Sequence, residues 1–274
     1  MKGLIFGKGF FGTRLSLELG YELSGIDVLN KIQLEEVIDS IKPDVIINAV
    51  GKTGKPNIDW CKNNKAETIQ GNIIAPLNIS TACAEKGIYF VHLGTGCIYS
   101  GDNNGKGFSE EDEPNFYGPQ FYAKTKILSE KALAELPGLQ IRIRLPVDDR
   151  PHSKNLIDKL LKYPQIVDIQ NSITTVPHMI KAIEELIIKK KEGIYNMTNP
   201  GTISAVEIIR MYQEIIDPSH KFQIISSASL DNLVLDKRSN CMLNSNKLEA
   251  EGIFIPEIHE AVKSCLIEYK KFVR

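Results

Sequence analysis

The chain has 274 residues, 42% of them hydrophobic and 24% charged, with a formal net charge of -1. These are the proportions of an ordinary globular protein, and the near-neutral balance gives no global field that favours nucleic acid or an anionic membrane. No apolar run reaches the ~18 to 20 residues that cross a bilayer. Met1 leads into a charged residue and a short strand, which is not the pattern of a signal peptide. The cysteines at 61, 83, 97, 241 and 265 are odd in number and unpaired in spacing, against both a disulfide framework and a zinc site. A reducing cytoplasm is the expected compartment, with no metal and no membrane or nucleic-acid partner.

Leu4-Ile5-Phe6 is a short apolar strand that runs into Gly7-Lys8-Gly9-Phe10-Phe11-Gly12. Arg14 to Leu19 then reads as a helix stopped by Gly20. A G-x-G-x-x-G between strand and helix is the dinucleotide fingerprint in its proper context. The first glycine permits the turn, the second admits a pyrophosphate, and the third packs the helix on the strand. The helix N-terminus then offers free N–H groups to the phosphates. Lys8, Phe10 and Phe11 fall inside this turn and count as cofactor contacts. Asp27 has the spacing for a ribose 2′-hydroxyl, while Lys8 and Arg14 suit a 2′-phosphate, so NADH and NADPH both stay open here.

Asp44 to Val50 is the second clear strand, and Asn48, Ala49, Val50 and Gly51 at its end are expected on the cofactor, with Thr53 on the substrate. Residues 62 to 87 read as one long helix ending at Gly87. Ile88 to Leu93 is an apolar strand that delivers Gly94-Thr95-Gly96-Cys97-Ile98-Tyr99. A loop over 99 to 117 holds Gly101, Gly105, Gly107 and the acidic run Glu110 to Glu113. Residues 121 to 136 have helical periodicity, and Gln140 to Leu145 alternates as a strand does before Pro146, a further cofactor contact. Beyond it come a polar loop over 148 to 154, helices over 155 to 163 and 177 to 190, a strand over 193 to 197, and a helix over 203 to 216 capped by Ser204.

The alternation of strand and helix predicts an α/β, Rossmann-type doubly wound parallel sheet with a smaller C-terminal substrate lobe. The expected division is 1–146 for cofactor binding, with the strand near 193–198 returning to it, and 147–274 mainly for substrate.

Tyr122 and Lys126 are four apart and share a helix face. A phenol of unperturbed pKa ~10 exchanges protons poorly at neutral pH, and the nearby Lys126 ammonium is expected to favour the phenolate and lower that value, while also holding the nicotinamide ribose. With Thr95 at a strand end, the three make a set for moving hydride to or from a carbonyl. Cys97, two residues after Thr95, is not needed for that step. A thiol beside a ketone suggests a second chemistry, proton transfer at the neighbouring carbon. The opposite face needs a partner, and His152, Lys154 and Lys159 are all candidates. His92, in an apolar strand, and His178, after Pro177, read as structural.

Several long strings carry a resemblance: Gly54-Lys-Pro-Asn-Ile-Asp-Trp-Cys61, Gly107-Phe-Ser-Glu-Glu-Asp-Glu-Pro-Asn-Phe116, Phe121-Tyr-Ala-Lys-Thr-Lys126, Asn171-Ser-Ile-Thr174 and Asn196-Met-Thr-Asn-Pro-Gly201. With Thr95-Gly-Cys-Ile98, they resemble extended short-chain dehydrogenase/reductases of the dTDP-4-dehydrorhamnose reductase branch. Within it, the chain is most similar to the bifunctional UDP-4-keto-6-deoxy-D-glucose 3,5-epimerase/4-reductases of UDP-L-rhamnose synthesis. The resemblance implies Thr95, Tyr122 and Lys126 as the reductase triad and Cys97 as the epimerisation thiol. It favours Lys159, within Asn155-Leu-Ile-Asp-Lys159, as the second acid–base. Thr53, Gly96, Asn155 and Asn171 are expected on the substrate beside these residues. NADPH is the implied cofactor, although Gly25 to Leu29 lacks the arginine of plant members and leaves NADH admissible. The resemblance also implies a nucleotide-sugar substrate, a functional link to a 4,6-dehydratase, and admits a homodimer. The rival readings are a reductase acting only on an already epimerised dTDP-sugar, and a nucleotide-binding regulatory subunit without turnover.

Overall fold

The computed structural model describes residues 1–55, 57–117, 120–226, 229 and 237–273. The chain divides into two compact units, each assembled from three stretches: Met1–Ile98, Pro114–Arg142 and Ile183–Tyr195 in the first, Tyr99–Glu113, Ile143–Ala182 and Asn196–Arg274 in the second.

The first unit is built on strands β1 (Gly3–Phe6), β2 (Glu22–Ser24), β3 (Val45–Asn48), β4 (Tyr89–Thr95) and β5 (Leu139–Ile143), interleaved with helices α1 (Phe10–Leu19), α2 (Lys31–Ile41), α3 (Trp60–Asn63), α4 (Lys65–Ile69), α5 (Ala75–Lys86) and α6 (Phe121–Leu133). Every residue of β1, β3 and β5 is buried, as expected of strands covered on both faces. The sheet has six strands in the order β2-β1-β3-β4-β5-β8, the last being Gly193–Asn196. β1 pairs in parallel with β2 and β3, and β3 with β4. This is the doubly wound Rossmann-type order. The chain leaves β1 to one side and returns to the other, so the ends of β1 and β3 flank the switch point where such sheets take ligands.

The region read as one helix over 62 to 87 is interrupted twice. Asn64 leaves helical geometry and its side chain donates to the Trp60 carbonyl at 2.8 Å. Gln70–Ile74 then forms a π turn that runs directly into α5. Pro76 sits in the first turn of α5 and has no N–H to return to Asn72, so the wider turn accommodates it.

The second unit contains α7 (Leu156–Leu160), β6 (Gln165–Val167), β7 (Gln170–Asn171), β9 (Ile203–Ser204), α9 (Ala205–Ile215), β10 (Gln223–Ile225), α10 (Asn246–Ala250) and α11 (Ile258–Tyr269); α8 (Val176–Ile188) begins in it and ends in the first unit. Ile157, Ile203, Ile209, Val262 and Leu266 are among its core residues. β6 pairs with β10 and β7 with β9. Ser204 caps α9 in a reciprocal capping box with Glu207, as its position predicts. The excursion after Tyr99 is tied to residues 240–244. Gly101 N–H donates to the Asn240 carbonyl and Phe108 N–H to that of Met242, both at 2.9 Å. Among the described residues, no helix is long and apolar enough to cross a membrane.

Candidate active site

The turn after β1 is closed by contacts that only glycine permits. Gly7 has φ of 108°, and a Cβ on it would lie 2.8 Å from the Ala49 carbonyl carbon. A Cβ on Gly12 would lie 1.9 Å from the Gly7 carbonyl oxygen. Gly9 is different, because a Cβ there would meet nothing within 4 Å. It is the N-cap of α1, no side chain caps that helix, and its first turn holds no acidic residue. Open space above uncapped N–H groups fits the phosphates of a dinucleotide.

Two substitutions separate these roles. Gly9→Ala is expected to keep the melting temperature while weakening cofactor binding. Gly12→Ala is expected to disturb the turn itself, lowering affinity by about one to two orders of magnitude with a loss of stability of about 1–3 kcal/mol. Fluorescence titration with NADPH beside thermal denaturation checks both.

Of the side chains expected around the ribose, Lys8 lies against Gly25, where a Cβ would fall 2.6 Å from the lysine Cδ. Asp27 is exposed and accepts from Leu29 N–H at 3.1 Å. Arg14 is buried and pairs with Glu18 at 2.5 Å, which draws it into its own helix.

The unit brings Thr95, Tyr122 and Lys126 together, with Cys97 beside them. Thr95 ends β4; its hydroxyl accepts from Cys97 N–H at 3.1 Å and bonds the Tyr122 phenol. Burial pushes the Tyr122 pKa up, proximity to Cys97 adds to this, and the Thr95 hydrogen bond pulls it back. This corrects the expected lowering by Lys126: burial outweighs it, and the phenol is held protonated, the form that can give a proton to a ketone under reduction. Lys126 is 6% exposed, and burial lowers its pKa to about 8 against an opposing pull from Glu130. Cys97 is partly exposed, whereas the other four cysteines are buried.

Two further polar residues join this cluster, Asn72, which the sequence reading missed, and His92, which it took as structural. Asn72, in the π turn, accepts from Lys52 N–H at 2.7 Å and donates to the Lys52 carbonyl at 3.0 Å and to the Thr125 hydroxyl at 3.1 Å. It ties the loop after β3, with Gly51 and Thr53, to the helix that carries Tyr122 and Lys126. Gly71 and Pro76, which break the helical pattern around it, were its only trace in the sequence. His92, expected to be structural, lies with Nε2 3.2 Å from Lys126 Nζ and Nδ1 2.9 Å from Asn48 Nδ2. His178 does keep to local bonding, with Nδ1 2.8 Å from the Thr175 hydroxyl.

In the second unit, Asn155 and Asn171 do not present open amides. Asn155 is fully buried and caps α7. It accepts from Ile157 and Asp148 N–H and donates to the Asp148 and Arg150 carbonyls. Asn171 accepts from Arg144 and Cys241 N–H and donates to Ile169 O and Asn240 Oδ1. Each amide spends two donors and two acceptor sites on its own unit, where it holds loops in place. Pro146 accepts from Leu156 N–H at 2.9 Å. Lys159 is partly exposed on α7, and its charge acts on His152, whose pKa is lowered chiefly by burial.

The RmlD substrate binding domain family matches residues 16–271. A bifunctional dTDP-4-dehydrorhamnose 3,5-epimerase/dTDP-4-dehydrorhamnose reductase of Arabidopsis thaliana is 38% identical, over 85% of this chain and 78% of its own length. A trifunctional UDP-glucose 4,6-dehydratase/UDP-4-keto-6-deoxy-D-glucose 3,5-epimerase/UDP-4-keto-L-rhamnose-reductase of the same plant is 34% identical over 98% of this chain, which spans 41% of that protein. The crystal structure of the L780 UDP-rhamnose synthase from Acanthamoeba polyphaga mimivirus superposes with a TM-score of 0.91 at 30% identity, covering 98% of this chain and 99% of the other. The dTDP-4-dehydrorhamnose reductase of Bacillus anthracis, solved in complex with NADP, gives 0.84 at 20% identity over 98% of this chain and 100% of the other, a likeness of fold.

Proposed function

Since the chain belongs to the RmlD substrate binding domain family, we propose that it is a bifunctional 3,5-epimerase/4-reductase that converts UDP-4-keto-6-deoxy-D-glucose to UDP-L-rhamnose. The observation that carries this reading is a partly open thiol, Cys97, whose backbone N–H bonds the same Thr95 hydroxyl that holds Tyr122. A reductase of an already epimerised sugar has no use for a thiol there. The relatives named for both activities support the same reading.

The C4 ketone lies against the Thr95 and Tyr122 hydroxyls and acidifies the protons at C3 and C5. Cys97 removes or returns a proton on one face, and Lys159, assigned on the family pattern, acts on the other, so that both carbons invert. The enolate oxygen is held by the two hydroxyls. Tyr122 then gives its proton to the C4 oxygen as reduction occurs. A bound reduced nicotinamide dinucleotide would supply the hydride; Gly7, Gly9, Gly12, Lys8 and Lys126 would hold it, and Lys8 beside Gly25 suits the 2′-phosphate of NADPH. A 4,6-dehydratase must supply the substrate, since the 4-keto-6-deoxy sugar is that reaction's product.

The test is NMR of the purified protein with the UDP-keto-sugar and NADPH in heavy water. UDP-rhamnose labelled at C3 and C5 is the expected product, and unlabelled reduction would leave a plain ketoreductase. Cys97→Ala is expected to slow exchange at C3 and C5 by about 10²–10⁴-fold with the fold unchanged. Exchange at the wild-type rate in that variant would remove the thiol from the mechanism.

A further inference from the structure

Three buried side chains line up behind the catalytic helix. Asn48, His92 and Lys126 are 0%, 1% and 6% exposed, and β3 and β4 set Asn48 directly opposite His92 in register. The orientation of the Asn48 amide is fixed, because its Oδ1 accepts the Val50 N–H at 2.9 Å. The group facing His92 Nδ1 at 2.9 Å is therefore Nδ2, a donor only, and Nδ1 must accept. A neutral imidazole that accepts at Nδ1 carries its proton on Nε2. That N–H points at Lys126 Nζ, 3.2 Å away. An ammonium has three donors and no lone pair, so this contact is a hydrogen bond only when Lys126 is the neutral amine. An imidazolium offers no alternative, since it sets a second N–H against the Asn48 amide. Burial, and the charge of Lys126 whenever that amine is protonated, hold the His92 pKa well below its ordinary value, so the imidazole stays neutral in either case.

We propose that His92, fixed in its Nε2–H tautomer by Asn48, is a positioning residue that disfavours the ammonium form of Lys126 in the cofactor-free protein. The other groups around Lys126 do not reverse this. Glu130, on the same helix, pulls the amine toward its charged form, but both its carboxylate oxygens are taken by Arg142 of β5. Tyr122, on the same helix, is kept protonated, and Cys97 and Cys61 act on it in that direction. Asn72, from the π turn, is uncharged and bonds Thr125. The catalytic consequence, that Lys126 holds its proton more firmly once an acceptor draws it off His92, rests on the function proposed above. The tautomer and the titration of the amine do not.

The experiment is NMR of the protein carrying ¹⁵N-histidine and ¹³C-lysine, with Lys126 assigned by its loss in Lys126→Met. In the wild type, His92 is expected to hold its proton on Nε2, and Lys126 to titrate at about 8. Asn48→Asp keeps the acceptor for Val50 but replaces the donor facing Nδ1 by an acceptor. His92 is then expected to flip to Nδ1–H, Nε2 to accept from the ammonium, and the Lys126 midpoint to rise by about one pH unit or more. A wild-type Nδ1–H tautomer overturns the proposal, as does a flipped tautomer with an unmoved lysine. If Asn48→Asp does not fold, the wild-type tautomer decides alone. None of these readouts needs substrate, so they stand or fall separately from the epimerase/reductase reading.

Discussion

Tyr122→Phe is expected to lower the rate of C4 reduction by about 10²–10⁴-fold, the usual worth of a positioned proton donor. The variant removes one oxygen from a half-buried ring and leaves the packing of α6 as it is. Thr95 loses its phenol partner but keeps the Cys97 N–H, so the strand end holds its shape. Deuterium exchange at C3 and C5 should continue, because the groups that move those protons are untouched, and the epimerised 4-keto sugar should accumulate. NADPH oxidation followed by absorbance, with NMR of the sugar in heavy water, measures both steps at once. Reduction within tenfold of the wild-type rate would mean that the proton comes from elsewhere. Loss of exchange together with reduction would mean that the hydroxyl also stabilises the enolate to a degree that Thr95 alone does not match.

The second large effect is on stability. Arg142 and Glu130 form a two-pronged pair inside the sheet unit, with Nε at 2.9 Å and Nη2 at 2.8 Å from the two carboxylate oxygens. Their side chains are only 2% and 9% exposed. Glu130→Ala leaves a guanidinium buried opposite a void, which costs about 3–5 kcal/mol and lowers the melting temperature by about 10 °C. The double variant Glu130→Leu with Arg142→Met, which removes both charges and keeps the volume, is expected to recover most of that loss. Calorimetry of the single and double variants is the check. A single variant that melts within about 2 °C of the wild type would show that the pair contributes little.

The parts of the fold that the sequence announces are those whose signals are local. β1, the glycine turn and α1 follow from one apolar run meeting Gly7, Gly9 and Gly12. The four-residue spacing of Tyr122 and Lys126 puts both on one helix face, and Thr95 reaches them because the apolar strand before it ends there. What stayed hidden depends on pairing across the chain. Nothing local distinguishes His92 from a core histidine; only the β3–β4 register sets it against Asn48, and only α6 brings Lys126 to its other nitrogen. Asn72 likewise acquires partners 20 and 53 residues away. Nor does a matching string reveal that the amides of Asn155 and Asn171 hold loops together within their own unit. In the second unit, β6, β7, β9 and β10 have two or three residues each, too few for an alternation to register.

The path of the chain limits how such a protein can be recombined. It passes from one unit to the other after residues 98, 113, 142, 182 and 195. No single crossover between two diverged genes can therefore exchange one unit whole. Any hybrid joined in the interior inherits mismatched halves of at least one core. Joints at the two ends disturb neither, and the trifunctional plant relative accordingly matches 98% of this chain as one block within a longer protein.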